Sequence, residues 1–118
     1  MPRLDAGLLK LPSRYHEMLL VLLSRYVPDA EVWAYGSRVN GDCHDASDLD
    51  LVVRNPSALQ ETMSDLMDLK DALVESDLPI RVDVVDWARI PEAFRREIER
   101  AYVVVQERRE YKRPQELP

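Results

Sequence analysis

Two strand-like segments that follow one another closely constrain this chain most. Glu31–Tyr35 is a short run of apolar and aromatic residues that ends at Gly36, and Asp48–Val53 is an apolar run that opens with two aspartates. Aromatic and β-branched residues in such runs favour the half-buried surface of a β-sheet. Since both segments are predicted strands, the polar motif between them lies where strands end.

Helix-type and strand-type segments alternate along the rest of the chain. The predicted helices are one capped by Ser13 and running to about Tyr26, a brief turn at Ser37–Asn40, a long one capped by Ser57 with an apolar stripe from Leu59 to Val74, and one that starts at Pro91 and carries Phe94 to Tyr102. Two further strands are predicted at Ile80–Val85 and Val103–Gln106. The alternation predicts an α/β or α+β fold, with a small mixed sheet flanked by helices.

The length of 118 residues predicts a single domain that spans residues 1–118. The segments that carry polar motifs fall at about 30–90, which we take as the functional core. The charged residues 107–118 include two prolines, and they are expected to form a frayed tail.

Charge and cysteine content narrow the expected surroundings. A net charge of -6 and a pI near 4.9 argue against direct nucleic-acid binding, which depends on Lys and Arg displacing counterions. The basic residues near the C-terminus alternate with glutamates, which is typical of a solvated mixed-charge face. A lone Cys43 suits a reducing compartment, and no apolar run approaches the ~20 residues that span a bilayer. We therefore expect a cytoplasmic protein that does not bind membranes.

Asp48 and Asp50 are the first candidate site residues. Residues i and i+2 of a strand point to the same face, so both carboxylates are directed at one point. Two unpaired carboxylates would repel one another, and a bound cation resolves this. Hard oxygen ligands select Mg²⁺ or Mn²⁺, and Mg²⁺ is commonly held by one or two carboxylates together with substrate phosphates.

Gly36, Ser37 and Arg38 are candidates for holding those phosphates. Glycine lets the backbone approach a ligand closely, Ser37 offers a hydroxyl and an N–H at the start of a helical turn, and Arg38 offers a charged planar fork. Each feature alone also has an ordinary explanation as a turn, a strand end or a surface residue. Their occurrence together favours a metal-dependent phosphoryl-transfer site.

Asp83 is the third candidate carboxylate. It lies between β-branched residues in a predicted strand, where a buried carboxylate needs a partner. With Asp48 and Asp50 it would surround two metal ions that serve an in-line displacement. Asp86 is the competing candidate, but it has the opposite parity and lies at the strand's end, so we prefer Asp83.

The motifs together resemble those of the minimal nucleotidyltransferases, small members of the DNA polymerase β-like superfamily. The resemblance runs from about Val32 to Trp87 and rests on Gly36-Ser37-Arg38, Gly41, Ser47–Leu51 and Val82–Asp86. It implies a polymerase β-like fold, an NTP substrate such as ATP with Mg²⁺, and transfer of a nucleoside monophosphate with release of pyrophosphate. By position, Gly36 and Ser37 would hold phosphates, Arg38 would assist them, and the three aspartates would hold metals, with Asp83 helping to deprotonate the acceptor. The sequence keeps all three carboxylates of the family pattern. The loop at 41–47 carries Cys43 and His44, at positions where the family pattern does not specify a residue type.

The resemblance also implies a partner. Minimal nucleotidyltransferases are typically paired with a small helical HEPN-type toxin, and AMP transfer to a tyrosine of that toxin would make this chain the antitoxin. So short a chain has no obvious second lobe for an acceptor, which agrees with a hetero-oligomer. Two alternatives stay open: a non-catalytic antitoxin that occludes its partner, and transfer to a small molecule or an RNA end. The sequence does not select the NTP, the acceptor or the stoichiometry.

Overall fold

A computed structural model describes residues 3–4, 6–41, 47–63 and 66–107. Its strands are β1 (Arg3–Leu4), β2 (Glu31–Tyr35), β3 (Leu49–Arg54), β4 (Val82–Asp86) and β5 (Tyr102–Gln106). Its helices are α1 (Ser13–Tyr26), α2 (Ser37–Asn40), α3 (Leu66–Glu75) and α4 (Glu92–Glu99), with a 3-10 turn at Ala6–Leu8. None of the helices in these ranges is both long and apolar enough to cross a bilayer.

The five strands form one mixed sheet in the order β1-β5-β2-β3-β4. Strand β2 is antiparallel to both of its neighbours, β5 and β3, whereas β3 and β4 run parallel. The predicted fold class is therefore confirmed. The order places β3, which carries Asp50, between β2 and β4, and it leaves β4 at an edge of the sheet.

Alternation along the strands separates the core into two clusters. On one face, Val32, Leu51 and Val84 pack with the apolar sides of α1 and α3. On the other face, Trp33, Val52 and Trp87 pack with Ile98 of α4. Both tryptophans are thus core residues. The sheet is covered by α1 and α3 on one side, called here the α3 face, and by α4 on the other, called the α4 face.

Several predicted boundaries were wrong. Ser57 does not cap a helix: its N–H donates to the Asn55 side chain in a local turn, and α3 begins only at Leu66. An asparagine before a proline readily forms such a turn, which competes with helix formation. The predicted apolar stripe of this helix was also partly wrong, since Met67 is 66% exposed and Val74 is 85% exposed.

Two helix ends also differ from the sequence pattern. Ser13 is the first residue of α1 rather than its cap, because the Pro12 carbonyl accepts the first helical hydrogen bonds and no side chain caps the helix. Helix α4 ends at Glu99, and Tyr102 begins β5, where its ring stacks on Trp33 with centroids 3.8 Å apart. Aromatic packing across the sheet thus takes Tyr102 out of the predicted helix. The predicted tail lies outside the described residues from residue 108 onwards.

Candidate active site

Asp50 lies at the centre of the candidate site. It pairs with Tyr35 of β2 on one side and with Asp83 of β4 on the other. Alternation places all three side chains on the α4 face, next to the partly buried Phe94 of α4. The C-terminal end of β2 and the N-terminal ends of β3 and β4 therefore bring two of the predicted carboxylates together.

Asp48 lies just before β3 and is exposed. Its charge acts on Asp50, as does that of Asp83. Burial raises the pKa of Asp50, and the neighbouring charges of Asp83 and then Asp48 raise it further. Three carboxylates that repel one another at the end of a sheet are typical of a site that binds a cation, because a bound cation offsets their repulsion.

The donor set suits Mg²⁺ or Mn²⁺, both of which favour carboxylate oxygens. Within the described ranges, however, no three acidic, His or Cys side chains already form a closed cluster around one point. The Asp83 carboxylate instead accepts a hydrogen bond from Arg81 Nε at 3.0 Å. Because Arg81 is exposed, this contact is weak and easily exchanged. The residues thus fit a site that substrate phosphates complete, rather than an all-protein cage.

Gly36 brings the backbone against Asp50. It has φ 80° and ψ -154°, a region that is essentially restricted to glycine. A Cβ at this position would lie 2.6 Å from Asp50 Oδ2, so a side chain has no room. Helix α2 follows at once, with half-buried Ser37 as its first residue. The conformation of Gly36 therefore sets the distance between the start of α2 and the Asp50 carboxylate.

Arg38 was predicted to bind phosphates, but the structure buries it against backbone carbonyl groups. It is only 4% exposed, its Nε donates to the Ser47 carbonyl at 3.0 Å, and its Nη1 donates to the Lys10 carbonyl at 2.7 Å. Lys10 N–H in turn donates to the Arg38 carbonyl. These bonds give Arg38 a structural role, because they tie α2 to the N-terminal segment and to the residue before Asp48. Its predicted contact with phosphates stays a prediction.

We expect the substitution Arg38→Met to destabilise the fold. Hydrogen bonds from a buried charged group are worth roughly 1.5 to 3 kcal/mol each, so the free energy of unfolding should fall by about 2 kcal/mol or more. Urea denaturation measures this change. Arg96→Met is the matched control, because Arg96 is exposed in an i,i+4 pair with Glu92 and its loss should stay within about 0.5 kcal/mol. Equal stability of the two variants would contradict the structural role.

Asp83 and Asp86 have distinct environments. Asp86 is 4% exposed on the opposite face, and its carboxylate accepts hydrogen bonds from Met63 N–H at 2.9 Å and Ala88 N–H at 3.1 Å. Its acceptor oxygens thus hold the segment before α3 and the turn after β4. Asp83, by contrast, is half-buried and directly opposite Asp50 in the register. The geometry therefore agrees with the preference for Asp83.

Tyr35 is a site residue that the sequence motifs did not indicate. Burial, and then the charges of Asp50 and Asp83, raise its pKa to about 12. The phenol therefore stays protonated at neutral pH and is available as a hydrogen-bond donor. Its ring packs edge-on against Phe94 with centroids 5.7 Å apart. The signal in the sequence was its position directly before Gly36.

Two cavities meet at Tyr35 and Phe94. The larger, of about 640 Å³, is also lined by Asp50, Asp83 and residues of α3. The smaller, of about 210 Å³, is lined by Gly36, by residues of α4 and by Arg100, which directly follows that helix. Arg100 keeps the exposed, mixed-charge setting that the sequence predicted, with its Nη1 3.8 Å from Glu97 Oε2, and both residues line this cavity. The carboxylates are thus accessible from one side, and the glycine backbone from the other.

Comparisons with known proteins agree with this geometry. Residues 21–111 match the family model described as polymerase beta, nucleotidyltransferase. The chain is also 45% identical over 101 residues to a probable protein adenylyltransferase, MntA, of Haemophilus influenzae, an alignment that covers 84% of this chain and 87% of that protein. With two predicted carboxylates brought together beside a glycine turn, and with this match along most of its length, the chain belongs to the polymerase β nucleotidyltransferase family and is a nucleotidyltransferase.

Proposed function

We propose that this chain is a protein adenylyltransferase that moves AMP from ATP to a hydroxyl of a partner polypeptide, with Mg²⁺ or Mn²⁺ as cofactor. The observation that carries the proposal is the register of Tyr35, Asp50 and Asp83 across three strands, beside a Gly36 that no other residue can replace without a clash. The similarity to MntA, named as a probable protein adenylyltransferase, supports a polypeptide acceptor.

Each residue has a role in the proposed reaction. Asp48, Asp50 and Asp83 would hold the divalent cations, which when bound supply positive charge at the phosphates and activate the attacking oxygen. Gly36 and Ser37 would hold the nucleotide phosphates at the start of α2, next to the cavity that Gly36 lines together with the ion pair of Arg100 and Glu97. Asp83 lies in the larger cavity, where it would accept the proton of the acceptor hydroxyl. Tyr35 lines both cavities and is protonated at neutral pH, so its hydroxyl would donate a hydrogen bond to a substrate oxygen there.

We further propose that the acceptor is a tyrosine of a small helical HEPN-type toxin, and that its modification neutralises the toxin. This step follows the family resemblance of the three motifs. It is also supported by the larger cavity of about 640 Å³ beside Asp83, which could receive a side chain of a second protein. Direct nucleic-acid binding is not favoured by the net charge of -6.

Labelled ATP tests the proposal. Wild-type chain incubated with ATP labelled at the α-phosphate, Mg²⁺ and the HEPN polypeptide encoded beside its gene should transfer the label to a tyrosine of that polypeptide. The double variant Asp48→Asn, Asp50→Asn should transfer none. Absence of label with the wild-type chain, or equal label with the double variant, would refute the enzymatic proposal. If the double variant still neutralises the toxin in cells, occlusion of the partner rather than catalysis explains neutralisation.

Thermal melting tests the cation site separately. Folding raises the pKa of Asp50 above its ordinary 3.8, so the ionised carboxylate opposes folding at neutral pH. This penalty decreases as the pH falls through the raised pKa and is gone below 3.8. In EDTA at pH 7, Asp50→Asn should therefore melt a few degrees above the wild type. Mg²⁺ with ATP should raise the Tm of the wild type and leave that of the variant unchanged.

Asp71→Asn is the control for this melting experiment, because Asp71 is an exposed carboxylate of α3. It should melt like the wild type in EDTA and respond equally to Mg²⁺ with ATP. A variant Asp50→Asn that melts below the wild type in EDTA would contradict the repulsion between the carboxylates.

A further inference from the structure

The outer edge of β4 carries backbone groups that the sheet does not use. Leu49 N–H donates to the Arg81 carbonyl, and Trp87 N–H donates to the Val53 carbonyl. In a pair of parallel strands, every second residue directs both its N–H and its C=O group towards the partner strand. These two bonds therefore show that residues 81, 83, 85 and 87 direct their backbone groups towards β3. The N–H and C=O groups of Val82 and Val84 therefore point away from the sheet, and no strand of the described chain lies beyond them.

The larger cavity passes around this edge. Its lining includes Leu73 and Ile80, which belong to the α3 face, and Val85 and Phe94, which belong to the α4 face. Because β4 separates the two faces, a cavity lined from both sides extends past the outer edge of the strand. The far end of the strand is different, since the segment before α3 is fastened there by the bond from Met63 to Asp86. Within the described ranges the edge is therefore most accessible at the end that carries Asp83, where Val82 is half-buried, whereas Val84 is only 5% exposed.

We propose that an extended segment of the acceptor polypeptide adds to the outer edge of β4, as a further strand paired with Val82 and Val84. This inference rests on the proposed function and specifies how the acceptor is held. An unpaired strand edge offers alternating donors and acceptors, and an extended polypeptide presents the complementary row. A small hydroxyl compound lacks that row, which is why the edge indicates a polypeptide acceptor.

The pairing also predicts the residues around the acceptor hydroxyl. Side chains of the added strand alternate between the two faces, and the strand lies about 4.8 Å from β4. The hydroxyl residue would point to the α4 face, beside Asp83. Its two immediate neighbours in the segment would then point to the α3 face, where Leu73, Val74 and Ile80 line the cavity. The acceptor class is therefore a hydroxyl residue with an apolar residue on each side.

Amide hydrogen exchange tests the pairing without relying on catalysis. On addition of the HEPN polypeptide used in the labelling experiment, the amides of Val82 and Val84 should exchange at least about tenfold more slowly, a change that one protected hydrogen bond can produce. Unchanged exchange at both amides in a mixture that transfers AMP would overturn the proposal. Slower exchange on concentrating this chain alone would also overturn it, because the edge would then pair with a second copy.

A proline substitution tests the same edge through activity. Val82→Pro removes only an N–H that points outwards, at the first residue of an edge strand, where proline is tolerated. Val82→Ala shortens the side chain and keeps the N–H. We expect Val82→Pro to lower AMP transfer at least about tenfold relative to Val82→Ala, with equal ATP affinity in both variants. Equal transfer by both variants would overturn the proposal.

The two experiments separate this inference from the proposed function. If the amides become protected and the wild type transfers no AMP, the enzymatic proposal fails and the strand pairing stands. If AMP is transferred, the amides are unprotected and both variants are equally active, the strand pairing fails and the enzymatic proposal stands.

Discussion

Replacing Asp83 by asparagine is expected to lower the rate of AMP transfer by about a thousandfold or more. Loss of one preorganised charged or polar group at a reacting centre commonly costs 10² to 10³ in kcat, and Asp83 would serve both as a cation ligand and as the acceptor of a proton. The side chain keeps its size, so the fold should persist. Initial rates with saturating ATP and Mg²⁺ measure the effect.

Asp86→Asn is the matched control for this prediction. The Asp86 carboxylate accepts two backbone N–H groups and lies on the opposite face of the sheet, so its replacement puts an amide donor against one of these donors. We expect a loss of roughly 1 to 3 kcal/mol in stability. The rate per folded molecule should change only a few-fold. If Asp86→Asn abolished transfer while Asp83→Asn retained it, the assignment of the third carboxylate would be reversed.

The substitution Gly36→Ala is expected to reduce transfer by about a hundredfold or more, and to destabilise the fold. The backbone conformation of Gly36 costs a residue with a side chain on the order of 1 to 3 kcal/mol. In addition, the new methyl group would lie 2.6 Å from Asp50 Oδ2, so either the carboxylate or the turn has to move. A displacement of even 1 Å at a reacting centre can cost about 10² in rate.

The variant Gly41→Ala distinguishes the effect of backbone strain at a glycine from the effect of a steric contact with Asp50. Gly41 also has a positive φ, of 94°, but no atom of the described residues lies within 4 Å of the position of its Cβ. This variant should lose roughly 1 kcal/mol of stability and keep most of its activity. Urea denaturation and initial rates on both variants make the comparison. Equal rates for the two variants would show that contact with Asp50 is irrelevant.

The elements that carry the site could be predicted from the sequence because local chemistry specifies them. Alternation identified β2 to β5 within a few residues, and the parity of Asp50 and Asp83 placed both on one face. The preference for Asp83 over Asp86 followed from parity and from the position of Asp86 at the end of the strand. Such patterns are reliable where one face of a strand is buried, since a shift by one residue exposes the whole apolar set.

Other features depend on contacts that a linear pattern does not contain. Arg38 looked like an exposed phosphate ligand, and its burial against the carbonyls of Ser47 and Lys10 depends on how three segments meet. The start of α3 was predicted too early because the local turn at Asn55 outweighs an apolar spacing that also suits a helix. The two cavities, and the position of Tyr35 between them, follow from the placement of α3 and α4, which has no local signal.

The position of β4 at the edge of the sheet has a consequence for divergence within such a family. Strand β3 is paired on both sides, so a change in its backbone disturbs two neighbours at once. Among the described strands β4 is paired on one side only, and Val74 on α3 beside it is 85% exposed, so a substitution at Val74 costs little stability. If the acceptor segment lies along this edge, as we propose, we expect the exposed residues beside it, such as Val74, to change more readily among relatives than Asp50 and Asp83, which face one another across β3 and β4.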